Sequence, residues 1–267
     1  MRILVCVKRV PAPGARITLT ADGRAIDTKN LGFTTSPHEE CAVEEAIRLV
    51  EAHGGEATVL TLGGAAADEQ LRYAVSVGIG SAAHATHTSL DTAHADGGDG
   101  GIDAEWDAQA TARGLVDAIH DLEKGGAFDL VLFGNESADA GGFQVGVRVA
   151  RALGRPIVNG IKGIEVDGDS VVARRESSVG FEVYRLDLPA VLGVKEGLNL
   201  PRYPTLPGRL KSKKAVVNVI PVEPVVGGMR ADRLVNPVET VSPTVILGIG
   251  AAAVPAVADL LVEMGLV

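Results

Sequence analysis

Residues 129–146 read DLVLFGNESADAGGFQVG, and this stretch decides the fold. Asp129 to Phe133 read as a short buried strand, a brief apolar run that ends at glycine. Small and polar residues follow, and Phe143 then opens an amphipathic segment extending to Leu153. Open α/β sheets build anion sites in this way, because backbone N–H groups at a helix N-terminus converge at the carboxyl end of a parallel strand. Gly134, Ser137, Ala138, Gly141 and Gly142 permit close approach of a phosphate, while Asn135, Ser137, Asp139 and Gln144 add side-chain donors and acceptors. The stretch matches neither GxxxxGK[ST] nor GxGxxG. Two readings therefore stay open from these residues: a nucleotide site, and an ordinary strand-to-helix connection with capping residues.

Working outward, Ile3 to Val7 and Ala57 to Leu62 are further strand-like runs. Between them, SPHEECAVEEAIRLVEAHGG predicts a helix capped by Ser36, with Pro37 at its first position, Ala42, Ala46, Leu49 and Val50 inward, and Gly54 closing it. A second helix places Leu71, Ala74 and Val75 inward and ends near Gly78; a third runs from about Trp106 to Lys124. Alternating β and α units of this length predict an α/β fold, a mostly parallel sheet covered by helices on both faces. After Gly154 short alternating runs broken by Asp-Gly and Gly predict antiparallel additions. From about Pro221 the chain is Pro/Gly-rich until a last helical segment, Pro255 to Met264, and is read as a C-terminal arm of the kind that embraces a partner. The expected division is 1–220 for the α/β domain and 221–267 for the arm.

Composition narrows the function classes. The 267 residues are 46% hydrophobic and carry a net charge of −9, so a large core is available and a nucleic-acid partner is disfavoured. The only basic cluster is KSKK, Lys211 to Lys214. Cys6 and Cys41 form no CxxC pair and are expected as free thiols. The opening MRILVCVKRV lacks the pattern of a signal peptide, and Val245 to Leu261 is interrupted by Pro255 and Asp259. A cytoplasmic protein without a membrane span is expected. His84, His87 and His94, with Asp91 and Asp96, lack metal-ligand spacing and read as a solvated loop. His38 reads either as a surface residue or as a neighbour of a cofactor. No nucleophile constellation is visible, so no catalytic residue is assigned.

Five blocks in order carry a resemblance: VCVKRVP, SPHEECAVEEAIRL, LGGAAADEQLRYAVSVG, DLVLFGNESADAGGFQVG, and LPAVLGVKEGLNLPRYPTLPGRLKSKK from Leu188 to Lys214. Together they resemble the β subunit of electron transfer flavoproteins, over roughly Arg2 to Val219, with the last block the most specific. The resemblance implies a fold similar to adenine-nucleotide α-hydrolase and universal-stress domains, and a heterodimer with an FAD-bearing α subunit. It implies AMP bound structurally in this subunit, or a second FAD in electron-bifurcating members. The nucleotide contacts implied are Cys6, Ser36, Pro37, His38 and Glu39, then Leu62 and Gly63, then Asp129, Gly134, Asn135, Ser137, Ala138, Asp139, Gly142 and Gln144. Residues 195–214 would form a recognition loop toward flavoprotein dehydrogenases of the acyl-CoA dehydrogenase type, through Glu196, Leu198, Asn199, Pro201, Arg202 and Tyr203. Glu176 stands where the family has a carboxylate linked to movement of the α subunit's flavin domain. Electrons would leave toward a quinone-linked oxidoreductase.

The chain also departs from the family's pattern. Ala12 and Pro13 stand after KRVP, where Asp is common; Ser36, Pro37 and His38 replace N-P-[FDY]; and N-E-P-R becomes N-L-P-R at Leu200. Glu196 replaces an apolar anchor of the recognition loop. The bifurcating pattern D-G-D-T-x-Q-V-G is replaced by DAGGFQVG, with Gly141 and Gly142 in the places of Asp and Thr. AMP is therefore expected over FAD. A stand-alone universal-stress-type adenylate-binding protein is the expectation from a different class.

Overall fold

The computed structural model describes residues 1–86, 106–223, 227–229, 232–237 and 244–267. They divide into two units, Met1–Leu234 and Val235–Val267.

The larger unit is an α/β domain built on a nine-stranded sheet. The strands are β1 (Arg2–Val7), β4 (Glu56–Leu62), β5 (Ser81–Thr86), β6 (Leu130–Gly134), β7 (Ile157–Asp167), β8 (Ser170–Ser177), β9 (Gly180–Asp187), β10 (Ala190–Val194) and β11 (Val217–Pro221). Two short strands, β2 (Val10–Pro11) and β3 (Phe33–Thr34), pair separately. The order across the large sheet is β11-β5-β4-β1-β6-β10-β7-β8-β9. The strands from β11 to β7 in that order run parallel, and β8 and β9 continue the sheet as an antiparallel meander.

The helices of this unit are α1 (Pro37–His53), α2 (Asp68–Val77), α3 (Ala108–Leu122), α4 (Val145–Leu153) and α5 (Leu206–Lys213). Successive side chains of a strand point to opposite faces, so a central parallel strand must be apolar at every position. β1 meets that condition: Ile3, Val5 and Val7 join one core with Ala42, Ala46 and Leu71, while Leu4 and Cys6 join the other with Leu115, Ile119 and Val149. Helices α1 and α2 thus cover one face and α3 and α4 the other.

Several sequence expectations change here. Helix α4 begins at Val145, because Phe143 adopts a left-handed backbone (φ 53°) that a helix cannot include. His84 lies on β5 and is buried, with its ring Nε2 2.9 Å from the Gly63 carbonyl oxygen, so it is not part of a solvated loop. The other members of that group, His87, Asp91, His94 and Asp96, lie outside the described residues. The run 190–194 is a parallel strand inserted between β6 and β7 rather than an antiparallel addition. The main unit also continues past residue 220: β11 pairs with β5, and the Val222 N–H donates to the Thr86 carbonyl at 3.0 Å.

In the smaller unit, α6 (Val254–Glu263) has no buried residue, and Val254, Val257, Leu260, Leu261 and Val262 are exposed. Among the described residues no helix is long and apolar enough to cross a membrane.

Candidate functional site

The chain leaves β1 for β4 and β5 on one side and returns to β6 on the other, so the order reverses at β1. In open α/β sheets the crevice at such a reversal, outside the carboxyl ends of the strands, is where ligands bind. Here it is bounded by Lys8 after β1, Gly63 after β4, the first turn of α1, and the loop from Asn135 to Gln144 after β6.

Each boundary is held by local chemistry. Ser36 caps α1: its hydroxyl accepts from the Glu39 N–H at 3.3 Å, and the Glu39 carboxylate accepts from the Ser36 N–H at 3.0 Å, a reciprocal capping box. The other Glu39 oxygen accepts the Lys8 N–H at 3.0 Å, binding the helix to the end of β1. Burial pushes the Glu39 carboxyl up to about 8, against the pull of these N–H donors and the Lys8 charge. Burial first, and the Glu39 charge second, also raise the neighbouring Cys6 thiol far above its ordinary range, so Cys6 is an inert core thiol. Gly134 must lack a side chain, since a Cβ there would stand 2.7 Å from Glu39 Cγ and 3.3 Å from His38 Cβ.

The loop itself is tied back to the sheet. Lys8 Nζ lies 2.6 Å from Asp139 Oδ2, and although burial opposes ionisation of Asp139, the Lys8 ammonium keeps its carboxyl below the usual range. The Asn135 N–H donates to the Val194 carbonyl at 2.8 Å, and the Gly141 N–H to the Ser137 carbonyl at 3.0 Å. No side chain caps α4, whose N-cap is Gln144, or α2, whose N-cap is Ala67, whereas Ser36, Asp107 and Thr205 cap α1, α3 and α5. The first N–H groups of an uncapped helix, together with its dipole, favour an anion. A Cβ at Gly142 would meet no atom within 4 Å, so the backbone there stands open to a ligand. This donor set suits a phosphate.

The structure brings most of the expected residues together. Ser36, Pro37, His38, Glu39, Gly63, Gly134, Asn135, Ser137, Ala138, Asp139, Gly142 and Gln144 lie at strand ends or helix starts around the crevice; Leu62 ends β4 with its side chain packed on the core. Asp129 is placed elsewhere. It precedes β6, donating its N–H to the Arg2 carbonyl at 2.9 Å and accepting the Arg2 N–H on Oδ2 at 2.7 Å, about 16 Å along the strand from Gly134. Lys8 and Glu136 were missed: their partners, Asp139 and His38, are 131 and 98 residues away, and no local signal marks such pairs.

The segment after β10 is less available than its sequence suggests. Asn199 Nδ2 donates to the Cys41 carbonyl and to Glu45 Oε2, each at 2.9 Å. Arg202 forks onto Glu44 at 2.9 and 3.0 Å and onto Glu51 at 2.7 and 3.0 Å. Leu198 packs partly against the core. Leu200 and Tyr203 are 89% and 88% exposed, and Glu196 is exposed beside them; Pro201 is half-buried. Lys162 Nζ holds Glu176 at 2.6 Å on the meander.

Residues 25–225 match the family model described as the electron transfer flavoprotein domain. The electron transfer flavoprotein subunit beta of Bacillus subtilis (strain 168) is 33% identical over 215 residues, covering 80% of this chain and 76% of that protein. The protein of the same name from Mycobacterium tuberculosis (strain ATCC 25618 / H37Rv) is 32% identical over 223 residues, 82% of this chain and 78% of its own. The mitochondrial subunit beta of Arabidopsis thaliana is 30% identical over 237 residues, 87% and 86% respectively. With its reversed sheet order and its phosphate-suited loop, the chain belongs to the electron transfer flavoprotein beta-subunit family.

Proposed function

We propose that this chain is the β subunit of a heterodimeric electron transfer flavoprotein and binds AMP as a structural ligand. The observation that carries the nucleotide reading is the uncapped N-terminus of α4, at the carboxyl end of β6, beside the open Gly142 backbone and the Lys8–Asp139 tie. The loop N–H groups hold the phosphate, and the first turn of α1 closes the crevice beneath it. FAD, held mainly by the α subunit, supplies the electron chemistry. The residues of this chain bind, orient and dock.

Electrons enter from flavoprotein dehydrogenases of the acyl-CoA dehydrogenase type and leave to a quinone-linked oxidoreductase. The exposed apolar side chains Leu200 and Tyr203 on the segment after β10 supply the docking face. The apolar α6 segment is the arm that the α subunit covers, which supports its lack of buried residues in the chain alone.

The test is the cofactor inventory of the purified heterodimer, released by denaturation. One FAD and one AMP per heterodimer is expected. Two FAD and no AMP would replace AMP by a second flavin and make the protein a bifurcating member. A stable homodimer formed without an α subunit, free of flavin, would overturn the reading in favour of a universal-stress-type adenylate binder.

A further inference from the structure

The nucleotide loop and the docking segment are tied to one helix. Along α1, the Cys41 carbonyl and Glu45 hold Asn199, and Glu44 and Glu51 hold Arg202. These positions recur at three, four or seven residues and so share a helix face. In the first turn of that helix Glu39 lies against Gly134. His38, beside it, stands between the two loops. Its Nδ1 accepts the Glu196 backbone N–H at 2.8 Å, and its Nε2 is 3.6 Å from Glu136 Oε1. With Nδ1 accepting, the proton of the neutral ring is on Nε2 and faces that carboxylate. The His38 side chain is only 14% exposed, so it cannot leave one loop without disturbing the other.

The geometry points to His38 as a positioning residue that couples adenylate occupancy of the loop after β6 to the conformation of the docking segment 195–203. The inference rests on the nucleotide-binding reading above. Glu136 spans the two sides: one oxygen faces His38, and the other lies 3.5 Å from where a Gly141 Cβ would stand. A phosphate arriving at Gly141–Gly142 repels that carboxylate and drives it onto His38 Nε2. The present 3.6 Å separation is longer than a hydrogen bond, and a movement of about 0.7 Å closes it. The closed contact fixes the ring and, through Nδ1, the Glu196 amide. Coupling is reciprocal, so a docked partner that orders Glu196 also tightens nucleotide binding.

The experiment uses the heterodimer stripped of nucleotide, with AMP as the probe. Hydrogen exchange of peptides covering 195–203 is measured by mass spectrometry without AMP and at saturating AMP, and occupancy is read separately by equilibrium dialysis. Saturation keeps any altered affinity of a variant out of the comparison. In the parent, AMP slows exchange at Glu196 by about five-fold or more, the lower end of ordinary coupling between sites. His38→Ala loses this response. His38→Asn places Oδ1 where Nδ1 was, keeps the Glu196 amide slow without AMP, and loses the response because it cannot reach Glu136. Glu136→Ala behaves as His38→Asn does. A full AMP response in both His38→Asn and Glu136→Ala overturns the coupling, and so does a parent that binds AMP with no change at 195–203. A parent that binds neither AMP nor FAD overturns the nucleotide reading itself.

Discussion

Glu39→Gln tests the buried carboxyl on which the crevice is built. Glu39 is 6% exposed, and its two oxygens accept the Lys8 and Ser36 N–H groups. Burial raises its carboxyl from the ordinary value of 4.5 to about 8. Between those values the folded chain holds a proton that the unfolded chain releases, so stability falls as pH rises through this window. Across the whole window the loss is on the order of 5 kcal/mol. Gln does not titrate, so the variant escapes this loss. It has only one carbonyl oxygen for two N–H groups, however, and leaving one buried N–H unpaired costs about 1–3 kcal/mol at every pH. Glu39→Gln should therefore be less stable than the parent at pH 5, draw level as pH rises, and be the more stable protein by pH 8.5. Urea midpoints of both proteins, taken nucleotide-free from pH 5 to 8.5, measure this, and the difference curve cancels every other titrating group. A difference curve flat in pH would refute the reasoning.

Asp139→Asn removes the partly exposed Lys8 ion pair; its stability cost should stay below about 1 kcal/mol, while AMP retained through gel filtration should drop. Arg202→Ala removes the guanidinium fork from the Glu44 carboxylate, which is 7% exposed and keeps only Arg48 at 3.8 Å and the residue-202 N–H at 3.1 Å, and should cost about 2 kcal/mol in urea unfolding. Arg202→Lys should recover only part of that, because an ammonium cannot fork onto both Glu44 and Glu51. Gly134→Ala puts a Cβ against Glu39 Cγ, which is held by two hydrogen bonds, and should cost about 1–3 kcal/mol, read as a lowered Tm. Neither Cys6 nor Cys41 should react quickly with a thiol reagent in the native chain, since both are buried; rapid labelling of either would contradict the packing.

The parts of the fold that were legible in the sequence are those whose signal is local. The strands β1 and β6 stand out as continuous apolar runs, and β4 as one broken only by Thr58 and Thr61, because they are buried on both faces. Helix α1 stands out because Ser36, Pro37 and Gly54 mark its ends. β5, SAAHAT, was missed: alanine, serine and histidine carry little strand preference, and its burial comes from β4 and β11 on either side. β10 was misread as part of a meander because a short apolar run does not reveal which strand it will pair with. Asp129 was grouped with the loop it precedes by only a few residues, although a strand separates its two ends in space.

The sequence by itself determined the class of the fold, the family, and the stretch most suited to a phosphate, since periodicity, end caps and motif order are properties of neighbouring residues. The tertiary structure decided what those residues do to one another. Asn199 and Arg202 look free in the sequence yet are held by α1, and the Lys8–Asp139, Glu136–His38 and His38–Glu196 pairs form only where β1, β6 and β10 end side by side. The physical reason is range: a hydrogen bond acts over about 3 Å, and only the assembled sheet brings residues so far apart in the chain to within reach of one another.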